Sequence, residues 1–538
     1  MIDQASVAAL VAALVPVVYA TFSAVIPLAD SLLRRGVGPY VACAASYAAA
    51  GMAAYVLTLT SEGHILVYKF GGWPPPLGII YEVDGLGGLM GFAAAALLAL
   101  CVTFSTSYAE VRGGARTPYY YSLLMLLGAG IVGSFYTGDA FNLFVMMELM
   151  AAAAYSLVAY LRDRRLAMEA SFKYGITTAV AGMVYFLMLG VIYGYFGTLT
   201  MADVGAKVRG AADPLAMISG YVPPPHPSFV ALLLSVLMWA FFIESAVFPL
   251  HFWLPDAHSE ALTPVSAVLS GLVINVGLYA AVRFSATVFN AYSDPSPPIA
   301  AVLTGTSVVC SVGAVFASIA MLFQKDVKRL VAYSTVLHVS IMGLGVSLAT
   351  QLALTAVTYH MLTHSVSKVL AFLSLGMLAH AAGSRRLDRL RGLGRACPGL
   401  MVAAVVACMS LAGIPPFATF PSKLLLFIAC VGSKCVWGAA ALVISSAVSA
   451  IAYFKVIHTI WIEKPGDGGG AGGRLKHAVP GRVAGVLAVL SIACIALGVL
   501  IPQVAGYASH VSAWVLNFHH YLRAAARALA GWAYGPSG

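Results

Sequence analysis

Apolar residues run along this chain in blocks long enough to cross a bilayer, with short polar joints between them. A hydrocarbon core about 30 Å thick takes about 20 residues of helix, and blocks of that length recur from end to end. They predict fourteen spans, at 8–31, 38–60, 83–107, 118–138, 140–161, 170–197, 228–250, 263–288, 298–322, 330–349, 352–381, 398–431, 436–461 and 481–503. Backbone polar groups in lipid must bond within their own segment, so each span is expected to be helical. Three are expected to be interrupted. Pro249 and Pro255 fall at and after the end of the seventh block, Pro264 opens the eighth, and Pro415 and Pro416 divide the twelfth. Proline removes a donor and kinks a helix. Carbonyls freed at membrane depth are tolerated only inside protein or beside water, so the breaks point to a polar path.

The joints carry the charge, and unevenly. After odd spans come Arg34 and Arg35; Arg112 and Arg116; Arg162, Arg164 and Arg165; Lys325, Lys328 and Arg329; Arg385, Arg386, Arg389, Arg391 and Arg395; and Lys464, Arg474 and Lys476. Joints after even spans carry chiefly Lys69, Lys207, Arg209 and Lys434. Cations favour the cytoplasmic side, which places the odd joints inside and both ends of the bundle, the N-terminus included, on the outer side of the cytoplasmic membrane. The start, MIDQASVAALVAALVPVVYA, has no basic n-region and runs straight into the first span, so no cleavable leader is expected. GDGGGAGGR (466–474) reads as a flexible linker. The tail from 506 to 534, with Trp514, His519, His520, Arg523 and Arg527, reads as an interfacial helix.

Composition agrees. Of 538 residues, 61% are apolar and 9% are Asp, Glu, Lys or Arg, against about 25% charged in a soluble domain. This is an all-α polytopic membrane protein. The formal charge of +10 sits in the short joints, so it reports topology and not nucleic-acid binding. Eight cysteines are scattered through apolar runs with no CxxC pair or Cys/His cluster, as small buried hydrophobes would be. With no Walker loop, no GxGxxG after a strand and no HExxH, this chain is expected to hold no metal or cofactor and no catalytic site of the soluble-enzyme kind.

Ionisable groups inside the blocks change the picture, because each costs about 2.5–3.5 kcal/mol at the bilayer centre. Glu148 lies in FNLFVMMELMAAAAYSLV and Glu244 in FFIESAVFPL. His360, His364 and Lys368 lie in TYHMLTHSVSKVLAF, and Lys423 follows the double proline in IPPFATFPSK. The spacing of four puts His360, His364 and Lys368 on one face of one helix, rising about 6 Å per step. A neutral imidazole accepts and donates a proton, and a lysine taken out of water gives its proton up more readily. Such a row suits a proton relay; a polar seam gluing helices together is the plainer alternative. Three groups in register, with acids and lysines on other spans, favour the relay. Lys455 and His458 lie nearer the end of their span and read as snorkelling groups.

Four segments carry a family resemblance: PLHFWLPDAHSEALTPVSAVLSGLVINVGLYAAVR (249–283), QKDVKRLVAYSTVLHVSIMGLG (324–345), HMLTHSVSKVLAFL (360–373) and SLAGIPPFATFPSK (410–423). With them the chain resembles the antiporter-like subunits of respiratory complex I, the Mrp-type cation/proton antiporters and the membrane-bound hydrogenases. GGWPPPLGIIYEVDGLGGLM (71–90) is most similar to the D-type Mrp subunit and its hydrogenase counterpart. The resemblance implies fourteen helices with interrupted helices seven and twelve. It also implies two inverted five-helix repeats, 118–290 and 298–461, between helices one to three (1–117) and a linker, last helix and tail (462–538). The sequence itself offers only a weak echo, VFPLHFWLP against GIPPFATFP.

By the same resemblance, Glu148 matches a glutamate that sits beside a lysine of span seven. His360, His364 and Lys368 match the central relay, Lys423 the terminal lysine, and Asp256 and His258 the WLPDAH loop. Two positions depart. Glu244 stands where the family has the span-seven lysine, and Asn275 where it has Lys or His. Two neighbouring glutamates disfavour double ionisation; they would share a proton, flank a bound cation such as sodium, or mark a retired channel. The implied function is an ion-translocating subunit, moving protons or exchanging them for sodium, in a complex I-like or hydrogenase-like oxidoreductase. Flavins, clusters and quinones would lie in partners: other integral membrane subunits and peripheral redox subunits. The alternatives are a subunit of a Mrp-type antiporter with no redox partner, and a spacer that conducts nothing.

Overall fold

The computed structural model describes every residue except 1–3, 34–35, 109–110, 112–115, 294, 465–479 and 531–538. The linker 466–474, Arg34, Arg35, Arg112, Arg474, Lys476 and the end of the tail therefore lie outside the described residues. The chain begins with α1 (Gln4–Leu33) and α2 (Gly38–Ser61), followed by an antiparallel hairpin of β1 (Leu66–Lys69) and β2 (Ile80–Val83). Then come α3 (Gly85–Ser105), α4 (Thr117–Tyr136), α5 (Ala140–Val158), α6 (Arg165–Phe196) and the short α7 (Met201–Arg209). The seventh block yields α8 (Pro227–Glu244) and the short α9 (Trp253–Glu260). Next are α10 (Thr263–Val288), α11 (Pro297–Phe323), α12 (Val327–Ser347) and α13 (Gln351–Ala382). The twelfth block gives two short helices, α14 (Pro398–Ala412) and α15 (Thr419–Gly432). α16 (Val436–Ile462) and α17 (Gly481–Val499) complete the long helices, and α18 (Ile501–Leu516) and α19 (Phe518–Ala530) follow.

Thirteen of the described helices are long and apolar enough to cross a membrane, and α14 with α15 supply the remaining expected span. The prolines act where local chemistry lets them. α8 stops at Glu244, five residues short of Pro249, which lies in the turn 245–252. Pro255 sits in the first turn of α9, where a missing N–H costs nothing, and Pro264 is the second residue of α10. Between α14 and α15 the chain turns at Gly413, whose φ of +79° favours glycine, and passes through Pro415 and Pro416. α10 is continuous but carries π-helical turns at Leu269–Val273 and Arg283–Val288. It is entirely enclosed by its neighbours.

α13 is the hub. It packs against α3, α10, α12, α14, α15, α17 and α18, and its residues from Ala353 to Ala379 are almost all buried. α6, by contrast, turns Phe172, Ile176, Met183 and Leu187 outward, as a helix facing lipid or another subunit does.

The tail differs from the expected single interfacial helix. Its apolar positions divide between α18, which lies against α13 with Val511 and Ser512 buried, and α19, which buries Phe518, Tyr521 and Leu522 against α7 and β1. That apolar face is covered by protein.

Beneath α19, charged groups fasten the hairpin end. Asp84 caps α3 by accepting from Gly87 N at 2.9 Å and receives Arg283 Nη1 at 2.7 Å. Arg283 Nε donates to Tyr279 Oη at 2.9 Å, which in turn donates to Phe135 O at 2.8 Å. Helices α3, α4 and α10 are thereby tied at one depth. Nearby, burial holds the Glu82 carboxyl well above the usual carboxylate range. Asp213 is pushed up to about 7 by burial and by the adjoining Asp203.

Arg283 is 1% exposed, so Arg283→Leu leaves Asp84 buried without its partner. Breaking such a pair costs about 3–5 kcal/mol, and the thermal transition of the detergent-solubilised chain is expected to fall sharply. The double variant Asp84→Leu, Arg283→Leu, which leaves no lone charge, is expected to recover much of that loss.

Candidate functional site

The row on α13 is buried and continues across helices. Lys368 Nζ donates to Val331 O at 2.9 Å and to the Ser334 hydroxyl, both on α12. One turn along, His364 is fully buried with neither ring nitrogen bonded to protein. Its ring lies 5.3 Å from that of His338 on α12. His338 Nδ1 meets His360 Nε2 at 2.9 Å, and His360 Nδ1 meets Ser422 Oγ at 2.8 Å. Ser422 adjoins Lys423. The path therefore leaves α13 for α12, returns, and crosses to α15.

Lys423 explains why α14 and α15 are separate. The last carbonyls of a helix have no partner within it, and Lys423 Nζ donates to two of them, Leu411 O at 3.0 Å and Ala412 O at 3.1 Å. A Cβ on Gly413 would lie 2.8 Å from Lys423 Cδ, so glycine there both makes the turn and admits the lysine stem. Lys368 and Lys423 are held by neutral oxygens. Each can lose its proton without stranding an acid.

Of the other expected residues, Glu148 and Glu244 come together. With Phe144, Gly182, Tyr185 and Phe241 they line one small cavity between α5, α6 and α8. Glu244 is 3% exposed and its Oε1 has no protein partner. Glu148 is half-buried at the edge of the bundle. Glu244 ends α8, at the negative pole of the helix, a place suited to a cation and not to an anion. Asn275 turns to α13: its Nδ2 donates to Ser365 Oγ at 2.8 Å and Gly271 O at 2.9 Å, while Oδ1 is buried without a partner. Pro249, Pro415 and Pro416 lie in the breaks.

The two members of the WLPDAH loop part company. Asp256 faces outward and pairs with Lys173 at 2.9 Å and Arg329 at 3.0 Å, joining α9 to α6 and α12. His258 is fully buried, its ring 5.6 Å from Phe372 of α13. Lys455 reaches Leu322 O at 2.9 Å from an exposed position, and His458 pairs with Glu463 at 3.3 Å, both at the rim.

His338, Ser334 and Ser422 are not among the residues the sequence singles out, yet they belong to the row. His338 was visible by the rule that found the others, an ionisable group inside an apolar block (VLHVSIMGLG). The serines were not, since serine is common in such helices and only the fold shows which ones meet the row.

A side chain at Gly182 would collide with Glu148 Oε1. Gly182→Ala is therefore expected to displace the Glu148 carboxylate from the cavity it shares with Glu244 and to lower ion flux without reducing assembly, the outcome also expected of Glu244→Leu. Glu244→Lys is expected to fold normally. Flux through the reconstituted complex decides it, and full activity in both Gly182→Ala and Glu244→Leu identifies the first half as silent.

Known proteins share this architecture. Residues 137–449 match the family model described as NADH:quinone oxidoreductase/Mrp antiporter, TM. NADH-quinone oxidoreductase subunit N of Desulforudis audaxviator is 32% identical over 506 residues, covering 91% of this chain and 96% of that protein. The putative antiporter subunit mnhD2 of Staphylococcus aureus is 26% identical over 441 residues, 82% of this chain and 83% of its own. A chain of the membrane-bound sulfane sulfur reductase, an archaeal respiratory membrane complex, superposes with a TM-score of 0.83 at 27% identity, covering 96% of this chain and 99% of that one. The protein belongs to the NADH:quinone oxidoreductase/Mrp antiporter transmembrane family.

Proposed function

We infer that this chain is an ion-translocating membrane subunit of a respiratory complex and that protons pass along Lys368, His364, His338, His360, Ser422 and Lys423. The observation that carries this is the pair of contacts at 2.9 and 2.8 Å that run from His338 through His360 to Ser422. A chain of imidazoles and hydroxyls can hand on a proton by exchanging donor and acceptor roles, with a lysine at each end to take it and release it. The flanking carbonyls stabilise an ammonium without fixing it permanently.

Several features support the wider assignment. The relatives and structural neighbours are named for respiratory and antiporter complexes, and the outward apolar face of α6 is suited to contact with lipid or another membrane subunit. Redox chemistry is assigned to peripheral partner subunits and none to this chain. We read the rim bearing Arg116, Arg329, Arg385, Arg386 and Arg391, which pair there with Asp163, Asp256, Asp326, Asp388 and Glu463, as the cytoplasmic side, which its cations favour. On that reading the N-terminus and the hairpin lie on the outer side of the cytoplasmic membrane. A Mrp-type assembly without redox partners is the second reading, supported by the mnhD2 relationship; subunits that co-purify with the native complex separate the two.

Lys368→Met keeps the reach of the side chain and removes its proton. It is expected to leave assembly intact and abolish proton movement by the reconstituted complex; normal pumping would turn the row into a structural seam.

Lys423 supplies a second check. Arginine keeps its proton at any physiological pH, so Lys423→Arg preserves charge but not release. Transport is expected to drop steeply in Lys423→Arg, and activity equal to wild type would mean that a fixed charge suffices there.

A further inference from the structure

The turn from α15 into α16 brings two cysteines together. Cys435 N donates to Cys430 O at 2.9 Å, and inside that bond Lys434 N donates to Val431 O at 3.0 Å. These are the two nested bonds that close a helix C-terminus, with Cys430 in the last turn and Cys435 just past the end. The residue before Cys435 takes a left-handed backbone in such a closure and is usually glycine. Here it is Lys434, with φ of +55°. The turn is held in a conformation that its own sequence does not favour.

The two residues that Cys430 and Cys435 occupy commonly touch through apolar side chains in this kind of closure. Here the touching groups are thiols. A Cβ on Gly438 would lie 2.8 Å from Cys435 Sγ and 3.2 Å from Cys430 Sγ, so both sulfurs crowd one point beside the first turn of α16. They stand near enough to share a hydrogen bond. Bond lengths on either side of the backbone contact put the two Cα atoms no more than about 7 Å apart, and a disulfide joins Cα atoms about 4.4–6.8 Å apart. Closure therefore asks for side-chain rotation and little of the backbone. No third His, Cys, Asp or Glu gathers with them into a metal-binding group among the described residues. Around the buried sulfurs the turn is open: Gly432, Ser433 and Lys434 are exposed. Trp437, of a type that favours the membrane–water boundary, follows with Nε1 on Ser307 Oγ of α11 at 3.0 Å.

We propose that Cys430 and Cys435 form a disulfide in the native membrane, fastening the outer end of α15 to the start of α16. The proposal rests on the reading that places this joint on the outer side, where thiols are oxidised and not kept reduced. The oxidant is a disulfide-bearing exchange protein of that compartment. The thiolate of one cysteine attacks the carrier's disulfide, forming a mixed disulfide and expelling one carrier thiolate. The thiolate of the other attacks the sulfur of the first, closing the Cys430–Cys435 bond and expelling the second carrier thiolate. Two electrons pass to the carrier, and the two thiol protons end on its sulfurs. Because the ring is local to one turn, it can close while α15 and α16 come together, before the sulfurs are covered. α15 has only 14 residues and follows a break. Lys423 fixes its inner end through the carbonyls of Leu411 and Ala412. Cys430, about two turns further along the same face, fixes the outer end.

Trypsin reads the bond directly, because it cuts after Lys434, between the two cysteines. Cells bearing the native complex are quenched in acid and dissolved in denaturant with N-ethylmaleimide, which blocks free thiols before any later oxidation. Peptides 424–434 and 435–455 are expected to emerge joined and unalkylated, and to separate only on reduction. In Cys435→Ala, peptide 424–434 is expected alone with an alkylated Cys430. The side of the membrane is read separately, by an impermeant amine reagent on Lys434 in intact cells, where labelling is expected. Wild-type peptides that emerge separate and alkylated overturn the disulfide, whichever side Lys434 occupies. Lys434 labelled only after permeabilisation overturns the outer-side reading, and the disulfide then stands or falls on the peptides alone.

Discussion

A lysine in hydrocarbon has to be held by something, and in this protein it is held by the end of a helix. The carbonyls of Leu411 and Ala412 are free because α14 stops at Ala412. The stop is written by Gly413, Pro415 and Pro416, and the polar ligands for Lys423 are therefore backbone. An acidic partner would trap the charge, since a buried ion pair penalises loss of either member. Neutral oxygens stabilise an ammonium and leave no unpaired acid behind when it is neutral. Lys368 is treated the same way by Val331 O and Ser334. The interrupted span is thus a chemical requirement of the lysine that follows it.

The opposite solution serves where charge must stay put. Arg283 and Asp84 are a buried, two-point ion pair, and the rim pairs of Asp256 with Lys173 and Arg329 bind three helices. These groups join elements far apart in sequence and are locked by partners of opposite sign. Charged residues in this chain therefore divide by what holds them: ion pairs fasten the two ends of the bundle, and neutral oxygens and rings line its middle.

That division also accounts for what the sequence revealed. The helices were legible because a lipid-spanning helix needs a long apolar block, and blocks of that kind are plain in the composition. His360, His364, Lys368 and Lys423 were legible because ionisable groups are rare in such blocks. Asp84 and Arg283 escaped notice because each lies at the edge of a block, where a charge looks like an ordinary loop residue; only the fold brings positions 84 and 283 together. The stop at Glu244, ahead of Pro249, was hidden too, because apolar residues continue through the turn 245–252 and mask the break. An amphipathic tail looks alike in sequence whether lipid or protein covers its apolar face, and only the fold shows α7 and β1 against that of α19.

The two halves of the chain end in different chemistry at comparable breaks. After the second break stands a lysine on carbonyls; before the first stands Glu244, a carboxyl at the negative end of α8 with another carboxyl, Glu148, in the same cavity. Nothing in that arrangement favours two negative charges: a shared proton or a bound cation would relieve it, and a retired channel would need neither. Neither state sends a proton onward by way of Asn275, which has no proton to exchange and is bound to Ser365 on the central helix. Asn275 is a strut at the position where the resemblance implies Lys or His. With that connection fixed, the carboxyl pair stands apart from the row on α13, in its own small cavity between α5, α6 and α8.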